Sequence, residues 1–137
     1  MKIFIFGDFN QVRMPLEFEA YVNKVVTVMG DKIEFIVGDN RGLDSRINNI
    51  LSKIGAGEKT TVYGVNKVSS NDYGFKEEII EVSEEEAEGT DFTTIKFGKL
   101  IDDCDAAIVL WDGESKSTFN RINKLKIRNK DVKIIRL

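Results

Sequence analysis

Five short segments of this chain are almost wholly apolar and rich in β-branched or aromatic residues: 2–6, 33–37, 60–65, 106–111 and 132–137. Near-continuous apolar character over so few residues suits strands covered on both faces, as in a parallel sheet. The segments between them follow a helical rather than a two-residue period. Pro15 suits the first turn of a helix whose stripe is Phe18, Tyr21, Val22, Val25, Val28 and Met29, closed by Gly30. A second runs from about Gly42 with Leu43, Ile47, Ile50, Leu51 and Ile54 on one face and Gly55 as its stop. A third covers 92–102 with Phe92, Ile95, Leu100 and Ile101. A fourth, about 116–128, turns Phe119, Ile122 and Leu125 inward. Strand–helix alternation of this kind predicts a three-layer α/β sandwich, a mainly parallel sheet of about five strands with helices on both faces and right-handed crossovers.

Residues 66–91 break the rhythm. A polar loop over 66–74, a short edge strand over 79–82 and an acidic loop over 84–91 are expected there. Tyr63, Tyr73 and Phe75 border this region and form either a lid over a ligand crevice or a plain aromatic loop.

A length of 137 residues fits one domain, 1–137, with a core of its own. No apolar run approaches the roughly 20 residues that span a bilayer. The apolar start at 2–6 is short and followed at once by Asp8, so it reads as a strand and not as a signal peptide. With no histidine and a single cysteine, a zinc site and the Ser-His-Asp and Cys-His forms of nucleophilic catalysis are excluded as readings. The lone Cys104 fits a reducing, cytoplasmic setting and, beside Asp102, Asp103 and Asp105, an unreactive thiol. A formal charge of −3 argues against general nucleic-acid binding. The charge is unevenly spread: 77–91 is strongly acidic, whereas 116–136 is strongly basic. Such blocks are either solvated faces or complementary contacts between protomers.

Three loops that follow apolar segments carry binding-site chemistry. Trp111-Asp112-Gly113-Glu114-Ser115-Lys116-Ser117-Thr118 leads into the last helix, with a glycine for backbone approach, three hydroxyls and a carboxylate. Gly38-Asp39-Asn40-Arg41-Gly42-Leu43-Asp44 offers glycines for turning, an anion site at a helix start, a guanidinium for phosphate or carboxylate, and Asp44 as a helix cap or ribose acceptor. A third loop, Gly7-Asp8-Phe9-Asn10, ends the first strand on the same side. Ordinary turn and cap chemistry is the alternative for each loop taken singly. Together they form one edge of a doubly wound sheet, where helix N-termini favour an anionic ligand. Trp111 either stacks on a base or packs against the sheet. The usual nucleotide fingerprints, Walker A and GxGxxG, are not present.

The chain resembles the SLOG superfamily of Rossmann-like nucleotide-binding proteins, related to the cytokinin-activating phosphoribohydrolases and to the DNA-processing protein fold. Compact bacterial and phage-type members carry a Gly-Gly-Ala-x-Gly-x-Asp loop, matched by 38–44. A later strand reads Ala-Asp-x-x-x-x-x-Trp-Asp-Gly-x-Ser-x-Gly-Thr, matched by Cys104 and Asp105 through Thr118. The run 61–65 resembles a third strand in one subgroup. The resemblance implies a nucleotide or nucleotide-derived ligand held by Gly7, Asp8, Gly38, Asp39, Asn40, Arg41, Gly42, Asp44, Asp112, Gly113, Ser115, Ser117 and Thr118, with no cofactor. It also implies a homo-oligomer, with which the opposite charge blocks are compatible. Asp39 and Ser117 stand where the pattern has small residues or glycine. Phe119, Asn120 and Arg121 occupy the stretch where the phosphoribohydrolases carry a glutamate. The expected function is therefore a binding domain (sensor, carrier or sequestering protein) without catalysis. The alternatives are a hydrolase or transferase acting on an N-glycosidic or phosphoester bond through Asp8, Asp44, Asp112 or Glu114, and a partner-binding protein with a vestigial pocket.

Overall fold

A computed structural model describes residues 1–8 and 14–137. Its strands are β1 (Lys2–Gly7), β2 (Glu34–Val37), β3 (Thr60–Val65), β4 (Lys76–Ile80), β5 (Ala106–Trp111) and β6 (Asp131–Arg136). Its α-helices are α1 (Leu16–Met29), α2 (Leu43–Lys53), α3 (Glu84–Ala87), α4 (Phe92–Asp103) and α5 (Lys116–Ile127). The six strands form one sheet in the order β4-β3-β2-β1-β5-β6, every pairing parallel. The fold is thus the expected Rossmann-like three-layer sandwich, with one strand more than the five strongly apolar segments. That sixth strand is β4, three residues earlier than the expected edge segment. Lys76, Glu77 and Glu78 carry no apolar signal because an edge strand with solvent on both faces needs none, and edge charges discourage further pairing.

Side-chain alternation divides the core in two. Ile3, Ile5, Phe35, Val37, Val62, Ile108 and Leu110 pack against Phe18 and Val22 of α1 and Leu43, Ile47 and Leu51 of α2. Phe4, Phe6, Ile36, Tyr63, Ala107 and Val109 face the other way, onto Phe97, Leu100 and Ile101 of α4 and Ile122 and Leu125 of α5. The helix stripes are narrower than their apolar content suggests. Val28 is 74% exposed, Phe92 48% and Phe119 47%. In α4 the buried set is Lys96, Phe97, Leu100 and Ile101, a three-to-four spacing that leaves Phe92 at the solvent end. Phe119 instead stacks on Trp111 at 5.8 Å between ring centroids.

The chain steps outward from β1 through β2 and β3 to β4, then returns to the centre to place β5 beside β1. Its order therefore reverses between β1 and β5, the switch point where open α/β sheets form a ligand crevice at their carboxyl edge. The register there is held at both ends. At the amino end the Lys2 amide donates to Asp105 Oδ2 (2.8 Å) and the Asp105 amide donates to the Lys2 carbonyl (2.8 Å). At the carboxyl end the Asp8 amide donates to the Leu110 carbonyl at 3.0 Å. Gly7 permits the approach, since a Cβ there would lie 2.4 Å from the Leu110 carbonyl oxygen.

The aromatic lid is not formed. Phe75 is buried in the core beside Gly57, and Tyr73 stacks on it while its hydroxyl donates to Asn49 Oδ1. Both residues precede β4, so they sit at the amino edge of a parallel sheet, opposite the crevice. Tyr63 is buried and donates to Asp103 Oδ2 at 2.6 Å. Cys104 is buried at the end of α4, and burial pushes its thiol up to about 11. Among the described residues no helix is long and apolar enough to cross a membrane.

Gly7→Ala should lower stability by about 1–3 kcal/mol in urea denaturation through overpacking. Gly98→Ala, in α4 with no atom within 4 Å of the added Cβ, should raise it by about 0.5–1 kcal/mol.

Candidate functional site at the switch point

Three loops leave the carboxyl ends of adjacent strands in the spatial order β2, β1, β5, carrying 38–44, Gly7-Asp8 and 112–118 respectively. Strand spacing puts the outer two roughly 10 Å apart. Phe9 and Asn10, which continue the β1 loop, lie outside the described residues.

Asp8 ties the β1 and β5 loops together. It is buried; its Oδ2 accepts from the Asp112 amide at 2.9 Å and its Oδ1 from the Thr118 hydroxyl at 2.5 Å. Thr118 is itself buried. Asp112 turns back on its own loop: its Oδ1 accepts from the amides of Glu114 (2.7 Å) and Ser115 (2.8 Å), an Asx turn. Those N–H groups, Ser115's first and Glu114's next, hold the Asp112 carboxyl below the usual carboxylate range. Gly113 takes φ 86°, which a side chain rarely adopts, and the guanidinium of Arg136 from β6 lies where its Cβ would be. Trp111 packs, its indole N–H donating to the Ser115 carbonyl at 3.1 Å. Ser115 is half-buried, its hydroxyl 3.3 Å from those of Ser117 and Thr118, and Ser117 is exposed.

In the β2 loop, Asp39 points away from the β1–β5 crevice. It is buried and forms a 2.6 Å ion pair with Lys96 of α4, equally buried, and its other oxygen accepts from the Ser69 amide at 2.7 Å. Lys96 also donates to Asn40 Oδ1 at 2.9 Å. Alone, Asp39 would repel a phosphate; with Lys96 against it the charge is balanced. Arg41 and Gly42 are exposed, and Gly42 takes φ 99°.

Asp44, in the first turn of α2, is buried, with its Oδ2 accepting from the Asn40 amide at 3.0 Å. Gly38 leaves it room: a Cβ there would lie 2.6 Å from Asp44 Oδ2. Burial raises Asp44 from 3.8 to about 6, against the opposing pull of the Asn40 N–H, Lys96 and Arg121, while Asp39 adds to the rise. Arg121 of α5 is half-buried with its guanidinium 3.7 Å from the centre of the Phe97 ring. Burial pulls its proton affinity down while Asp44 and Asp91 act in the opposite sense.

The helix starts around this edge are not alike. Ser83 caps α3 through the Glu86 amide, and Asp91 caps α4 through the Thr94 amide. The N-cap residues of α1, α2 and α5 (Pro15, Gly42 and Ser115) make no side-chain cap bond. The first intrahelical bonds of α2 and α5 are Arg46 to Gly42 and Phe119 to Ser115. The amides of Leu43, Asp44 and Ser45, and of Lys116, Ser117 and Thr118, therefore have no intrahelical acceptor. Among the described residues no side chain caps the helices that follow β2 and β5, and both start at the crevice edge with their dipole ends toward it.

The sequence reading overlooked Lys96 and Arg121. Lys96 had a signal: it adjoins Phe97 on the 97, 100, 101, 104 stripe, where a lysine must find a buried partner. Arg121 had none beyond its place three residues after Thr118. Among the described residues no group of three or more acidic or thiol side chains is arranged to hold a metal ion. No protein-family model matches the chain, and no curated protein sequence matches it.

Lys96→Met should cost about 3–5 kcal/mol by leaving Asp39 buried without its counter-charge. Adding Asp39→Asn should recover much of that loss in the same denaturation assay. Asp44 binds its proton more tightly folded than unfolded. Its contribution is fully present below pH 3.8 and is lost as pH rises through about 6, a change of roughly 3 kcal/mol. Unfolding free energies at pH 4 and pH 7 should therefore show Asp44→Asn gaining stability relative to the native chain as pH rises.

Proposed function

We propose that this protein is a non-catalytic binding domain for a nucleotide or nucleotide-derived ligand, acting as a sensor, carrier or sequestering protein. The observation that carries the reading is the pair of uncapped helix starts, α2 and α5, flanking the switch point where α3 and α4 are capped. The six amides without an intrahelical acceptor suit phosphate oxygens. Arg121 adds a half-buried cation on the α5 side, and the Asp44 carboxyl is a partner for ribose hydroxyls. The likeness of 38–44 and 104–118 to the SLOG pattern supports the same ligand class, and we read the chain as a compact SLOG-like protein. Where that pattern's phosphoribohydrolases carry glutamate, this chain has Phe119-Asn120-Arg121 and thus a cation, which favours holding an anion over cleaving it.

One observation favours hydrolysis as a second reading. The Asp44 carboxyl, buried in the first turn of α2 and pushed up to about 6 by that burial, has the proton affinity of a general acid or base at neutral pH. Chromatography of an incubated nucleotide should then show released base or phosphate, and Asp44→Asn should abolish it.

The binding reading is tested with nucleoside mono- and diphosphates, cyclic nucleotides and ADP-ribose in a thermal-shift screen followed by calorimetry. At least one should raise Tm by several degrees through preferential binding to the folded state. Arg121→Gln, still folded by circular dichroism, should weaken that ligand at least tenfold. A flat response across all classes overturns the proposal.

A further inference from the structure

The crevice draws on Arg121 and Arg136 of the basic block and leaves the acidic block and the later part of α5 unused. On the α4–α5 face a groove of about 390 Å³ runs between the two helices. Phe97 and Ile101 supply its apolar lining, and Arg121, Lys124 and Arg128 stand along the α5 side. These three recur at a spacing of three and four, so α5 presents them as one stripe. The helix contains no acidic residue. Arg128 pairs with Asp102 at 3.0 Å, both partly exposed, whereas Lys124 has no ion pair among the described residues.

The counterpart is the segment leading into α4. Glu84, Glu85 and Glu86 lie in α3 and Glu88 follows, all exposed and with no cation paired to them among the described residues. Three acidic side chains concentrated on one helical turn repel one another. This segment runs straight into Phe92, a large apolar side chain 48% exposed, at the start of the helix that walls the groove. Acidic donor and basic acceptor therefore adjoin one another through α4. Two copies related by a two-fold axis can lay each acidic segment on the other's groove at once, as an isologous interface requires. A net charge of only −3 puts little overall repulsion against such pairing.

We infer that the α4–α5 groove is the docking surface for the 84–92 segment of a second copy of this chain, giving a reciprocal, charge-paired homodimer. Each acidic segment faces Lys124 and Arg128 of its partner, and Phe92 covers apolar groove surface. The groove shares Ser117 and Arg121 with the crevice side of α5, so charge reversals at Lys124 and Arg128 or at Glu84, Glu85 and Glu86 leave both of those residues in place and read oligomeric state and not ligand binding.

Sedimentation velocity of the full chain should show a dimer at 50 mM salt that weakens at least tenfold at 500 mM, as exposed ion pairs are screened. Two reversal variants test the pairing: Lys124→Glu with Arg128→Glu, and Glu84→Lys with Glu85→Lys and Glu86→Lys. Each alone should be monomeric, because like charges meet in both contacts, while circular dichroism and thermal unfolding show a retained fold. Mixed in equal amounts, the two variants should form a heterodimer, since both contacts are then complementary again. A monomer at every salt concentration overturns the inference. So does a dimer indifferent to salt and to both reversals, or a mixture of the variants that stays monomeric.

Discussion

The parallel pairing of β1 with β5 is the constraint on which the rest of this protein depends. It joins segments about a hundred residues apart, from Ile3 with Ala106 to Gly7 with Leu110. Closing so long a loop carries an entropic cost that local contacts cannot meet. The chain compensates with specific bonds at both ends of the pair. Lys2 and Asp105 exchange hydrogen bonds at the amino edge, and Asp8 gathers Asp112 and Thr118 at the carboxyl edge. Asp105, Asp112 and Thr118 are thus register and loop residues before they are anything else. By holding β5 beside β1 they create the reversal of strand order that opens the crevice.

A second long-range contact fixes the crevice wall. The buried pair of Lys96 and Asp39 joins the α4 layer to the end of β2 through the sheet edge, and the same ammonium holds Asn40. Neither charge is stable in so dry a place alone, so the pair specifies how α4 sits over the β2 loop. Asp44 then lies a few residues away, a buried carboxyl with no ion pair among the described residues, its affinity for a proton raised by desolvation. Two aspartates of one loop differ in chemistry because one of them meets a lysine from a distant helix.

Much of the architecture was legible in the chain. Buried parallel strands must be apolar nearly throughout, and amphipathic helices must repeat every three to four residues. Five strands and the four longer helices follow from those periods alone. The sixth strand, β4, was legible only as a trace at its apolar end, because a solvated edge relaxes the demand for apolar side chains. Val28, Phe92 and Phe119 show the converse error: an apolar residue on the right side of a helix is buried only if a neighbouring element reaches it. In the site, the loops that face one edge were recoverable from strand ends and glycines. The division of labour within them was not. Gly7 and Gly38 make room for the Leu110 carbonyl and the Asp44 carboxyl, contacts that no spacing reveals.

Sequence by itself determined the class of fold, the positions of the turning loops and the clustering of the candidate site at strand carboxyl ends, because these depend on local periodicity and on turn chemistry. Tertiary structure alone decided which strand lies beside β1, that Asp8 and Thr118 form a buried strut, that Asp39 is balanced by Lys96, and that Arg121 rests on Phe97 near Asp44. Those outcomes depend on the separation of groups far apart in the chain. Charge, desolvation and hydrogen bonding act through that distance, and not through the number of residues between them.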